Sequence, residues 1–80
     1  MDKIIDIELS NTEKLDRIKL SIRELHTREL DITIQMKTLE GASNYTPEIK
    51  QEFEDRLVEV SRGITNLLAF HKEIEDANSQ

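Results

Sequence analysis

The residues of this chain best suited to chemistry are His26, Glu29 and His71. His26 and Glu29 stand three apart, the spacing of a metal-binding pair on a helix, where residues three and four apart share a face. A carboxylate-bridged centre in a helical bundle needs further Glu and Glu-x-x-His ligands from the facing helices. The second half of the chain offers only His71, which a folded-back chain sets far along the axis from His26. No metal site and no cofactor is therefore expected. His71 reads as a histidine at the edge of an apolar seam beside Ile18, its polar edge reaching water, Asp16 or Glu75. Glu29 interrupts an otherwise apolar stripe, where it either pairs with Arg56 or Arg62 across the fold or turns out to solvent. A polar residue in such a stripe can set register at some cost in stability.

No Gly-rich phosphate loop or nucleophile elbow occurs, and a Cys-His pair is impossible without cysteine. A pair of helices also offers no concave pocket in which reacting groups could be held dry. Catalysis is not expected. Asn44-Tyr45-Thr46 matches the glycosylation acceptor pattern, but with Pro47 next it reads as a turn.

Seventeen acidic against eleven basic residues give a net charge of -6 over 80 residues. No surplus of Lys and Arg exists to release counterions from phosphates, so nucleic acid is not an expected partner, nor is an anionic membrane surface. Asp2, Asp6 and Glu8 interrupt the first ten residues, which excludes a secretory h-region there. The longest apolar run, Leu67 to Phe70, is far below the ~20 residues of a spanning helix. A cytoplasmic protein without membrane insertion is expected. A chain of this size rarely stabilises one core unaided, and it has no disulfide, so a partner or self-association is the default expectation.

The elements follow from the punctuation. Ser10-Asn11-Thr12-Glu13 has the form of a capping box, Gly41 can close a helix in the left-handed conformation, and Thr46-Pro47 can open the next. These signals predict one all-α domain, an antiparallel two-helix hairpin of coiled-coil type, with helices at about 12–40 and 47–76. Residues 77–80 are expected to fray, and residues 1–9 to form a flexible or docking arm. Ile5-Asp6-Ile7-Glu8-Leu9 alternates like a strand but has no second strand to pair with.

In the first helix Leu15, Ile18, Ile22, Leu25, Glu29, Ile32, Met36 and Leu39 follow an unbroken three-four spacing. In the second, Ile49, Phe53, Leu57, Val60, Ile64, Leu67, His71 and Ile74 do nearly the same. Folding back at the connector pairs residues whose numbers add to 88 or 89, from Leu39 with Ile49 to Leu15 with Ile74, without slippage. Several apolar residues lie off these seams. Leu20 and Ile34 fall opposite the first seam with Leu30 nearby, and Val58 reads as an isolated surface hydrophobe of the ordinary kind. Gly63, Leu67, Leu68 and Phe70 gather toward the end of the hairpin that holds Leu15 and Ile18. Gly63 costs about 1 kcal/mol inside a helix, and close approach by a third helix would offset it. Leu15, Ile18, Gly63, Leu67, Leu68, Phe70 and Ile74 are therefore the expected partner contacts, in a helix-on-helix mode.

The stretch Gly63-Ile64-Thr65-Asn66-Leu67-Leu68-Ala69-Phe70, with Pro47 and Gln51 opening its helix, resembles the small co-chaperones of type III secretion needle subunits. The likeness spans about Leu9 to His71 and rests on a loose motif. It implies a cytosolic three-protein complex, in which the co-chaperone stabilises a tetratricopeptide-type, helical-repeat chaperone and that chaperone masks the needle subunit. The chain departs from the pattern at Phe70-His71, where family members show paired aromatics, and in a longer loop from Gly41 to Thr46. A homo-oligomeric adaptor or inhibitor, with two hairpins forming a four-helix bundle, is the main alternative. The needle subunit itself fits less well, because Glu73 to Gln80 is too acidic and polar for burial in a polymer.

Overall fold

The structure is a computed structural model that describes residues 8–78. The expected arm at residues 1–9 lies outside these apart from Glu8 and Leu9, which are exposed, and of the expected frayed tail only Ala77 and Asn78 are described. Two α-helices, α1 (Asn11–Leu39) and α2 (Pro47–Asn78), pack against each other as a hairpin. The all-α expectation holds. α2 runs through Asn78, two residues beyond the expected limit, and the Asn78 Oδ1 accepts from Asn11 Nδ2 at 3.2 Å across the open end of the hairpin.

Local chemistry accounts for the boundaries. The Ser10 hydroxyl accepts from the Glu13 amide at 3.1 Å, and the Ser10 amide donates to the Glu13 carboxylate at 2.8 Å. Two of the orphan amides at the helix start are thereby satisfied. The Ser10 amide, and after it the Ser10 hydroxyl, hold the Glu13 carboxyl below the ordinary glutamate range, because donors beside a carboxylate favour its charged form. Gly41 has φ of +86°, a conformation that costs a residue with a Cβ but not glycine. That left-handed step ends α1. Leu39 and Ala42 carbonyls accept from the amides of Ala42 and Tyr45, which winds the connector tightly, and Thr46 Oγ1 then accepts from the Ile49 amide to start α2.

The seam register is the one the spacing predicts. The Asn11–Asn78 bond joins residues adding to 89, and a Cβ built on Gly63 would lie 3.2 Å from Leu25 Cδ1, a pair adding to 88. Ile32, Val60 and Ile64 are buried at the centre, with Ile22, Leu25, Met36, Phe53 and Leu57 packed around them. Ile18 and Ile74 are buried separately, nearer the open end. At the connector end the reading needs one correction. Ile49 is exposed rather than seated in the seam, and half-buried Tyr45 lies against Phe53 instead, with ring centroids 6.4 Å apart. The connector crosses over that end of the seam, and its aromatic ring supplies the apolar cover that Ile49 does not.

The hairpin is one layer thick. Its principal extents are 64 × 31 × 16 Å, and its radius of gyration is 18.8 Å, against about 12 Å for a compact domain of this length. Both broad faces flanking the seam are therefore open, and these faces are where function has to be sought.

Candidate partner-binding surface

One flank of the seam forms a groove of about 750 Å³ between the helices, with Leu57 at the seam edge. Leu30 and Thr33 line it from α1, Val58, Ser61 and Thr65 from α2, and His26, Glu29 and Arg62 supply its polar groups. Leu57, Ser61, Thr65 and Leu68 recur at spacings of four, four and three, so exposed Leu68 continues the same stripe toward the open end. The hydroxyl of Thr33 donates to the Glu29 carbonyl at 2.9 Å. Its hydrogen-bonding capacity is largely spent on its own helix, which leaves its methyl as the group free to meet a neighbour. The groove is accordingly more apolar than its residue types suggest.

The opposite flank differs in kind. Leu25, Arg28, Ile32, Arg56, Glu59 and Val60 line a smaller hollow of about 300 Å³, half of them charged. Gly63 and Phe70 follow Arg56 at intervals of seven, so they share this flank. The supposed cluster of Gly63, Leu67, Leu68 and Phe70 is therefore divided by the seam. Leu67 is half-buried within it, Leu68 stands on the groove side, and Phe70 stands exposed on the charged side. Gly63 leaves room for Leu25 of α1 in the same chain, and no third helix is needed to explain it.

Two other expected contacts are taken up by the hairpin itself. Ile18 is 6% exposed and Ile74 is 9%, so a partner docking on the closed hairpin does not reach them. Leu15 is half-buried near them. Sequence reasoning missed Leu30, Thr33, Ser61 and Thr65 as parts of one surface. Their signal was present: Leu30 and Val58 add to 88, the same register that pairs the seams.

The titratable residues adopt structural positions. His26 Nδ1 lies 3.2 Å from Glu29 Oε1 on the same helix, so Glu29 turns toward the groove rather than crossing to an arginine. His71 Nδ1 lies 3.4 Å from Glu75 Oε1, one of the partners expected for it, while its Nε2 is buried without a hydrogen-bond partner. Among the described residues no group of three or more His, Cys, Asp or Glu side chains is placed to hold a metal ion. None of the described helices is long and apolar enough to cross a membrane. Compared with known proteins, the chain matches no family model, no curated protein and no solved structure.

Proposed function

We propose that this chain is a non-catalytic helical-hairpin co-chaperone, which binds and stabilises a tetratricopeptide-type chaperone holding a type III secretion needle subunit in the cytoplasm. The observation that carries the reading is the uncovered groove beside the seam, which Leu30, Leu57 and Val58 line together with the small side chains of Thr33, Ser61 and Thr65. A third helix fits such a surface, and helical repeats present helices in series. The resemblance of the stretch from Gly63 to Phe70 to the needle co-chaperones supplies the identity of the partner. In this reading the chain works by mass action: binding the folded chaperone raises its stability with the logarithm of the free chain concentration over the dissociation constant.

Co-expression with the tetratricopeptide-type chaperone and needle subunit of the same genome tests it. The expected result is a three-protein complex on gel filtration that Leu68→Glu weakens while Phe70→Glu leaves it intact. Failure of the purified chain to bind that chaperone would overturn the reading.

A further inference from the structure

We propose that in the absence of another partner the groove is covered by a second copy of this chain, the two hairpins forming a four-helix bundle about a two-fold axis parallel to the helices. This inference stands apart from the co-chaperone reading, because it concerns the purified chain alone.

A protein domain ordinarily needs two packed layers to bury the apolar stripe of each, and this hairpin supplies only one, 16 Å thick. A second copy supplies the other. The 32-residue α2 is about 48 Å long and two helices side by side span about 20 Å, so the broad face has a footprint on the order of 1,000 Å², against the roughly 800 Å² that a stable dimer needs from each partner.

The arrangement of the groove selects the axis. Leu30 and Val58 face the same groove at one level, 59% and 56% exposed. A two-fold axis along the hairpin lays α1 of one copy on α2 of the other, in the antiparallel sense and the register that already pair the two helices within a chain. Leu30 then meets Val58 of the second copy, and the contact occurs twice. The polar groups agree with this choice. Glu29 lies on α1 and Arg62 on α2 beside the same groove, so the rotation brings each carboxylate toward a guanidinium of the other copy. A two-fold axis across the hairpin at the same level would set Glu29 against Glu29 and Arg62 against Arg62. The opposite flank is the poorer candidate, since Arg28, Arg56 and Glu59 line it and a two-fold contact there gathers four cations against two carboxylates, whereas Glu29 and Arg62 balance in the groove.

Light scattering during gel filtration of the purified chain, over a wide concentration range, reads the stoichiometry. A dimer is expected at micromolar concentration. Leu30→Lys and Val58→Lys should each raise its dissociation constant about tenfold or more, while Phe70→Lys on the other flank should not. Circular dichroism on each variant separates loss of the dimer from loss of the helices, and Val58→Ala serves if a lysine variant unfolds. The absence of cysteine permits a second test. Chains carrying Leu30→Cys alone and Val58→Cys alone should form a disulfide with each other on mixing and oxidation, faster than either does with itself. A monomer at every concentration overturns the proposal, as does a dimer indifferent to Leu30→Lys and Val58→Lys, or faster cross-linking of Leu30→Cys with itself. A monomer that still binds the tetratricopeptide-type chaperone overturns this inference and leaves the function standing; a groove-mediated dimer that ignores the chaperone does the reverse.

Discussion

Replacing Gly63 by alanine should stabilise the hairpin, although the site touches the opposite helix. Glycine in a helix interior costs about 1 kcal/mol relative to alanine, chiefly through the backbone freedom it has when unfolded. Against that stands one contact, the 3.2 Å between an added Cβ and Leu25 Cδ1. Ordinary van der Waals separation begins only a few tenths of an ångström further out. The obstructing atom is the far end of a half-buried leucine with room beside it in the hollow of about 300 Å³. Rotating that side chain through a small angle costs less than the ~0.5 to 1.5 kcal/mol of a 30° departure from a rotamer. The expected net gain is about 0.5 to 1 kcal/mol, or roughly 2 to 8 °C in Tm for a domain of this size. Urea and thermal unfolding followed by circular dichroism, at one fixed chain concentration, would measure it. Gly63→Leu, which adds atoms that Leu25 cannot accommodate, should be less stable than the parent. If Gly63→Ala were itself destabilising by 1 kcal/mol or more, Leu25 would be locked in place and the argument from side-chain freedom would be refuted.

Four further outcomes follow from the packing and the caps. His71→Leu should raise stability by about 1 kcal/mol, since it removes a buried Nε2 with no partner from a side chain only 17% exposed, and a drop in urea midpoint would contradict this. Ile64→Ala should cost about 2 to 4 kcal/mol in the same assay, because its buried side chain joins Ile32 and Val60 at the centre; a loss below 1 kcal/mol would show that the seam is not the core. Ser10→Ala should cost about 1 kcal/mol through loss of the cap. The folded-state titration of Glu13 lies below its unfolded value, so the capping contribution is present above the ordinary glutamate range and is lost as pH falls through the lowered value. Stability measured against pH should therefore fall less steeply on the acid side in Glu13→Gln than in the parent chain.

The register of the hairpin was legible in the sequence because it depends on one quantity, the sum of facing residue numbers, which two long seams determine many times over. Asn11 and Asn78 meet where that sum places them. The flanks were less legible for an equally physical reason. A stripe read along one helix says how far each residue lies from the seam, but residues equally far on its two sides look alike until the second helix is in place. Leu68 and Phe70 differ by two positions and fall on opposite flanks, while Leu30 and Val58, far apart in sequence, share one groove. Ile49 failed as a seam residue because the connector, and not the heptad spacing, decides what covers that end.

The thinness of the core supports the proposed binding role. Ile18, Ile32, Val60, Ile64 and Ile74 are the buried hydrophobic residues among those described, and none of them is fully enclosed. Ordering a residue costs on the order of 1 to 2 kcal/mol in backbone entropy alone, and a seam of half-buried side chains recovers that cost less completely than a two-layer core does. Covering the groove adds to the buried area without ordering a new segment of chain, because α1 and α2 are already formed and Leu30, Leu57 and Val58 already line it. An occupant, whether a repeat-protein helix or a second hairpin, would thus complete a core that the single chain leaves half built. On this ground the proposed partner surface is the flank whose charges, Glu29 and Arg62, balance, rather than the open end, where Ile18 and Ile74 are already spent in holding the helices together.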